Sequence, residues 1–108
     1  MIAHDFEYTV ATSIDDAISL LQKHGDNAKV LAGGHSLIPM MKLRLAAPAV
    51  LIDIGRIANL SYVREEGGTI RIGALTTHHG IEASELVRQR CGALHDAAAA
   101  IGDVQVRN

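Results

Sequence analysis

The amino-acid sequence predicts an α+β fold, with a small α/β subdomain over residues 1–58 and the beginning of an antiparallel-sheet subdomain over residues 59–108. In the first part, short apolar runs typical of buried strands alternate with segments of helical periodicity. In the second part, paired glycines between two alternating segments indicate a β-hairpin, and helical segments follow it. The pattern changes near residues 55–60, which we interpret as the subdomain boundary.

The first two elements are predicted from local patterns. Phe6, Tyr8 and Val10 alternate with polar residues, which favours a short strand. The segment SIDDAISLLQKHG predicts a helix with Ser13 as N-cap and Gly25 in the left-handed position after its last turn. Its apolar face comprises Ile14, Ala17, Ile18 and Leu21. The neighbouring acidic pair, Asp15 and Asp16, is interpreted as helix-start charge and not as a catalytic pair.

The remainder of the first subdomain predicts a parallel unit. The segments AKVLA and AVLIDI are short and apolar, which indicates two buried strands. Between them, a short helix is expected to start near Leu37, because proline is tolerated in a first turn and Pro39 lies there. Two parallel strands that are joined through a loop and a helix form an α/β unit.

In the second subdomain, LSYVREEGGTIRIGAL predicts an antiparallel hairpin that turns at Gly67 and Gly68. A helical stretch is expected from about Thr77 to Ile101, with a break near Cys91. Its last apolar stripe comprises Leu94, Ala97, Ala98 and Ile101. The final segment, IGDVQVRN, predicts extended chain. Because an isolated hairpin is marginally stable, we expect this half to open a larger sheet.

Composition excludes several classes of function. The formal net charge of −2 and the scattered Lys and Arg residues give no basis for nucleic-acid binding. The single cysteine, Cys91, excludes an internal disulfide and any cysteine-ligated zinc or iron–sulfur site within these residues. No segment approaches the roughly 18 to 20 apolar residues of a membrane span. We therefore expect a cytoplasmic chain without a membrane span.

The segment VLAGGHSLIPMMK is the strongest candidate for a binding site. Its two glycines allow positive φ and close approach of a ligand to the backbone amides. Several amides followed by a helix start can bind an anion, and Ser36 adds a hydroxyl donor. The P-loop and Rossmann patterns are both absent. The residues alone leave two interpretations, a phosphate cradle or an ordinary strand–helix turn, and they favour the turn.

Other candidate residues carry weaker signals. His78 and His79 have no carboxylate or cysteine partner at the spacing of metal ligands. His35 could act as a base, although a loop histidine more often bonds to the backbone. Cys91 is expected to be buried and not nucleophilic. Thr76 and the threonine after it are either helix-capping residues or ligand donors, and capping is favoured.

Four motifs in order carry a family resemblance: AGGHSLIPMMKLRLAAP, LIDI, IGALTTHH and IGDVQVRN. Together they resemble the FAD-binding medium subunits of molybdenum hydroxylases, most closely those of the aerobic carbon-monoxide dehydrogenase type. Xanthine dehydrogenase carries the same domain type. The resemblance covers essentially all 108 residues. It implies the FAD-binding fold shared with vanillyl-alcohol oxidase and cresol methylhydroxylase, in which FAD lies between two subdomains.

The resemblance also implies which residues bind the cofactor. The AGGHS loop would hold the FAD pyrophosphate, mainly through its amides and the Ser36 hydroxyl, and Ile38 would lie beside the cofactor. It assigns to FAD the residues Ala32, Gly33, Gly34, His35, Ser36, Leu37, Ala74, Thr76, Ile101 and Asp103. It implies no catalytic acid or base and no metal ligand in this chain.

By the same resemblance, the chain belongs to an electron-transfer complex. Electrons would leave a substrate at the molybdopterin cofactor of a large subunit, pass through iron–sulfur clusters of a small subunit, and reach FAD before an external acceptor. Two other interpretations stay open at this point. One is a phosphate- or nucleotide-binding module without redox activity, and the other is a truncated interaction fragment without cofactor.

The family pattern continues after RN with a second glycine-rich loop of the type G-T-I-G-G-N, which the 108 residues do not include. A large ligand needs enclosure to offset its ordering cost, so these residues alone are expected to purify largely colourless. We also expect an unfinished sheet edge and an uncovered apolar face to cause association or partial disorder near the C-terminus. Titration with FAD while following flavin fluorescence measures this, and tight stoichiometric binding to a monomer would contradict it.

Overall fold

A computed structural model describes residues 5–108 of the chain. The fold is a small mixed α/β one, as predicted, with two compact units that divide between Ile57 and Ala58. Within residues 5–108, no helix is long and apolar enough to cross a membrane.

The first unit contains a three-stranded parallel sheet and two helices. Its elements are β1 (Glu7–Val10), α1 (Ile14–His24), β2 (Ala28–Leu31), α2 (Leu37–Lys42) and β3 (Val50–Asp53). The strand order is β1-β3-β2, with Glu7 and Ala28 both in register with Val50. The predicted parallel unit is confirmed, and β1 extends it by one strand.

Helix α1 begins and ends as its sequence predicts. The Asp16 amide donates to the Ser13 hydroxyl at 3.0 Å, which confirms Ser13 as the N-cap. Gly25 ends the helix with φ of +55°, and its amide donates to the Leu21 carbonyl. Hydrogen bonds at both ends satisfy backbone groups that the helix itself leaves unpaired.

The predicted burial is only partly correct in this unit. Val50, Leu51 and Ile52 of the central strand are buried, but Val30 of the edge strand β2 is 39% exposed. The apolar face of α1 buries Ala17 alone. The error has a physical cause, because an apolar run does not reveal whether a strand is central or at an edge.

A side-chain contact links the edge strand β1 to the end of β3. The Tyr8 hydroxyl donates to the Asp53 carboxylate, which also accepts from the Gly55 amide at 2.8 Å. The hydrogen bond from Tyr8 is the main cause that lowers the pKa of Asp53, and the same bond raises the pKa of Tyr8. The contact fixes the C-terminal end of β3.

The second unit contains a hairpin followed by short helices. Its elements are β4 (Val63–Glu66), β5 (Thr69–Ile72), α3 (His78–Glu82), α4 (Glu85–Arg90), α5 (Gly92–Ala99) and α6 (Val104–Arg107). The strands pair antiparallel, with Glu66 opposite Thr69. Gly67 and Gly68 have φ of +56° and +80° at the turn, which confirms the predicted hairpin.

The helical stretch after the hairpin has one more break than predicted. Besides the break at Cys91, the chain interrupts the helix at Ser84, whose hydroxyl caps α4 by accepting from the Val87 amide at 3.3 Å. Cys91 lies between α4 and α5 and is exposed. The prediction that Cys91 is buried was therefore wrong, because a residue at a helix break is not held on the apolar face.

The prediction of extended chain at the C-terminus was also wrong. Residues Val104–Arg107 form the short helix α6. The Asp103 carboxylate caps it by accepting from the amides of Gln105 at 2.9 Å and Val106 at 3.4 Å. The alternation of two valines with polar residues imitates a strand, but the cap at Asp103 starts a helical turn.

Candidate functional site

The glycine-rich loop joins the end of β2 to the start of α2. Gly33 and Gly34 have φ of +75° and +80°, which confirms the prediction that the loop contains positive φ. Residues that have a Cβ rarely adopt a positive φ, so this loop conformation requires glycine at both positions. Two successive residues of this kind turn the chain sharply between the two elements.

Gly34 is also required by packing. It is buried, and an ideal Cβ at this position would lie 2.7 Å from Cγ1 of Ile38 and 3.4 Å from Cδ1 of Leu31. The Ile38 amide donates to the Gly34 carbonyl at 3.1 Å, which closes the turn onto α2. The loop therefore has a compact inner side that only a glycine fits.

The outer side of the loop presents unpaired backbone donors. Within residues 5–108, the amide N–H groups of residues 33 to 36 donate to no protein acceptor, and the Ser36 side chain does not cap α2. Because α2 has only six residues, the capacity to bind an anion comes from these amides and not from a long helix dipole. Their convergence on one point stays a prediction.

An open pocket of about 300 Å³ lies beside these donors. Its lining residues are Val30, Ala32, Gly34, His35, Ser36 and Leu37. This set includes every loop residue that the family resemblance assigned to the cofactor except Gly33. The walls are apolar on the strand and helix sides, while the loop side carries amides, a hydroxyl and an imidazole. Such a mixture suits a ligand that has both phosphate and apolar parts.

The loop histidine lacks the hydrogen bond to the backbone that the sequence led us to expect. His35 is exposed and forms no hydrogen bond to the described residues, so the expected bond to the backbone is absent. Around His78 and His79, the described residues contain no group of three or more His, Cys, Asp or Glu side chains that could hold a metal ion.

In the second unit, Ala74 and Thr76 lie between β5 and α3. Ala74 is exposed. The Thr76 hydroxyl donates to the Tyr62 carbonyl at 2.9 Å and accepts from the Tyr62 amide at 3.1 Å. Its proton is therefore used within the protein. Thr77 caps α3 by accepting from the Gly80 amide at 2.9 Å, which confirms the capping interpretation for that residue.

Sequence reasoning missed the role of Gly73 in this segment. An ideal Cβ at Gly73 would lie 2.2 Å from the carbonyl oxygen of Leu60 and 2.8 Å from Cδ1 of Tyr62. The Gly73 amide donates to the Tyr62 carbonyl at 2.9 Å. A glycine next to a strand is a known sign of close backbone approach, so this signal was present in the sequence.

Ile101 and Asp103 lie between α5 and α6 of the same unit. Asp103 caps α6, and Ile101 is half-buried. Arg107 holds this segment, because its guanidinium donates to the Ile101 carbonyl at 3.2 Å and pairs with the Glu82 carboxylate of α3. No sequence pattern indicated this long-range pair.

Comparison with known proteins decides the family. The family model for the FAD binding domain in molybdopterin dehydrogenase matches residues 4–108. The chain belongs to this family. FAD is therefore the cofactor of the domain, and the resemblance stated from the sequence is confirmed. The unpaired amides and the glycine-lined pocket of the first unit fit the phosphate part of such a ligand.

Relatives and solved structures agree with this assignment. The chain is 51% identical over 108 residues to the carbon monoxide dehydrogenase medium chain of Hydrogenophaga pseudoflava, covering all of this chain and 38% of the relative. It is 42% identical to the glyceraldehyde dehydrogenase medium chain of Sulfolobus acidocaldarius, with the same coverage. A structure of the Hydrogenophaga carbon monoxide dehydrogenase matches with a TM-score of 0.93, covering 100% of this chain and 38% of that chain.

Proposed function

We propose that the chain forms the FAD-binding part of a molybdenum hydroxylase medium subunit of the carbon monoxide dehydrogenase type. In this role it holds the flavin as the last redox site before an external acceptor. The observation that carries the proposal is the AGGHS loop, whose two positive-φ glycines expose unpaired amides beside a pocket. The 51% identity to a carbon monoxide dehydrogenase medium chain supports the class of complex.

The residues of the first unit would have binding roles. The amides of residues 33 to 36 and the Ser36 hydroxyl would donate to phosphate oxygens of FAD, while Val30 and Leu37 would exclude water from the apolar wall. Bound FAD supplies the redox chemistry, and the protein supplies binding and orientation. No residue of the chain needs to act as an acid or a base.

Further cofactor residues are proposed from the order of the family motifs. They are Ala74, Thr76, Ile101 and Asp103. For Thr76 and Asp103, the side-chain hydrogen bonds favour a positioning role, since both bond to the backbone of their own unit. We expect these segments to shape the site through their backbone and not through free side-chain donors.

The proposed partners are a molybdopterin-containing large subunit and an iron–sulfur small subunit. Two observations support them. Two relatives are named as medium chains, and a third, of Eubacterium barkeri at 37% identity, is named the nicotinate dehydrogenase FAD-subunit. The single cysteine of these 108 residues cannot by itself ligate an iron–sulfur cluster, which fits clusters held by another subunit.

The electron route can be tested in the complex that is assembled from complete reading frames. The complex is reduced with dithionite without oxygen, freed of excess reductant and mixed with a soluble quinone. We expect the iron–sulfur absorption of the wild-type complex to recover much faster than that of a complex whose flavin site is empty. Reoxidation at equal rates would show that electrons leave from the clusters directly, and a wild-type complex without flavin would refute the cofactor assignment.

A further inference from the structure

The binding loop contains one titratable side chain in an otherwise neutral pocket. Of the described residues that line the pocket, only His35 can carry a charge. Its imidazole is exposed and has no hydrogen-bond partner among the described residues. A free imidazole is unusual in a loop whose other features, the positive φ angles and the Gly34 packing, are tightly determined.

The imidazole lies against the backbone that presents the unpaired amides. An ideal Cβ at Gly33 would be 3.3 Å from Nδ1 of His35 and 3.8 Å from Cε1, so the ring occupies the space that this glycine leaves open. Gly33 therefore serves two purposes, since it provides positive φ and gives the ring room. A ring in this place lies close to the loop backbone whose amides are proposed to bind a phosphate.

Neighbouring charged groups do not duplicate this role. The elements around the loop carry Lys29 on β2, Lys42 on α2 and Asp53 on β3, and none of them lines the pocket. Asp53 is engaged by the Tyr8 hydroxyl. Both lysines are exposed. Histidine is the side chain whose ordinary pKa lies closest to neutral pH, and His35 is the histidine that lines this pocket.

We propose that the His35 side chain is the charge-variable ligand group of this loop and makes diphosphate binding stronger when the imidazole is protonated. The inference rests on the proposed function, because FAD is the diphosphate ligand. Protonation adds a cation and a second N–H donor beside an anion whose own charge is constant over this range. The imidazole is exposed to solvent, so its effect on affinity is screened and amounts to about threefold.

The test uses apoprotein that is expressed from the complete reading frame and titrated with FAD between pH 6 and pH 8. For the wild type, we expect Kd to be about threefold lower at pH 6 than at pH 8. His35→Gln should have the weaker affinity of the wild type at pH 8 at both pH values. His35→Lys should have the tighter affinity of the wild type at pH 6 at both pH values. His79→Gln, which changes an exposed histidine of the second unit, should keep the wild-type difference.

The outcomes separate the two proposals. FAD binding with the same pH difference in the wild type and in His35→Gln would refute the role of His35 while leaving the proposed function intact. A wild-type apoprotein that binds no FAD at any pH would refute the proposed function itself. Loss of the pH difference in His35→Gln together with tight binding by His35→Lys would establish the role of charge at this position.

Discussion

Gly34→Val in the protein expressed from the complete reading frame is expected to abolish FAD retention. Valine at φ of +80° is strained by about 1 to 3 kcal/mol, and its Cβ would meet Cγ1 of Ile38 at 2.7 Å. The Ile38 side chain could shift to relieve the contact, but the strain at positive φ is relieved only by a change in the loop backbone, which would move the amides of residues 33 to 36 from the position proposed for the phosphate. Flavin content is measured from the absorbance of the purified protein and from the FAD released on denaturation.

The matched control is Gly68→Val. Gly68 has the same φ of +80°, but it lies in the hairpin turn and a Cβ there would meet nothing within 4 Å. This variant has similar backbone strain without disturbing the loop, so it should keep its flavin. Far-UV circular dichroism should be almost unchanged in both variants. Wild-type FAD content in Gly34→Val would refute the assignment of the loop.

Elements that are determined by residues adjacent in the sequence were predictable. The caps of α1, the start of α2 near Leu37 and the hairpin turn at Gly67 follow from local conformational preferences, and the structure confirms each. The prediction for the C-terminal segment failed because Val104 and Val106 alternate with polar residues, as residues of a strand do. What holds the segment includes the pairing of Arg107 with Glu82, 25 residues away, which no local pattern reveals.

The same distinction applies to the candidate site. The positive φ at Gly33 and Gly34 was predictable, because paired glycines between two apolar segments are typical of a turn that needs left-handed backbone. The free imidazole of His35 was not predictable, since a missing partner depends on the whole surroundings of the loop. The sheet order was unpredictable for the same reason, and this is why Val30 was expected to be buried and is instead exposed at the pocket.

Gly73→Ala is expected to destabilise the second unit strongly. The new Cβ would lie 2.2 Å from the Leu60 carbonyl oxygen and 2.7 Å from its carbon, and backbone atoms cannot turn aside as a flexible side chain can. The two chain segments must separate, which weakens the bonds from Gly73 to Tyr62 and from Leu75 to Leu60, at 2.9 and 2.8 Å. Overpacking and lost hydrogen bonds together should cost about 3 kcal/mol in the free energy of unfolding.

Denaturant unfolding of the protein from the complete reading frame measures this loss, and hydrogen exchange locates it. Exchange should accelerate at Gly73 and Leu75 far more than in the first unit, because the strain acts on their hydrogen bonds. Gly92→Ala is the matched control, since a Cβ there would meet nothing within 4 Å and the residue begins helix α5. That variant should be neutral or slightly stabilised, because alanine favours a helix more than glycine does. Equal unfolding free energies for Gly73→Ala and Gly92→Ala would contradict the prediction, since the close approach of residues 60 and 73 would then relax at no cost.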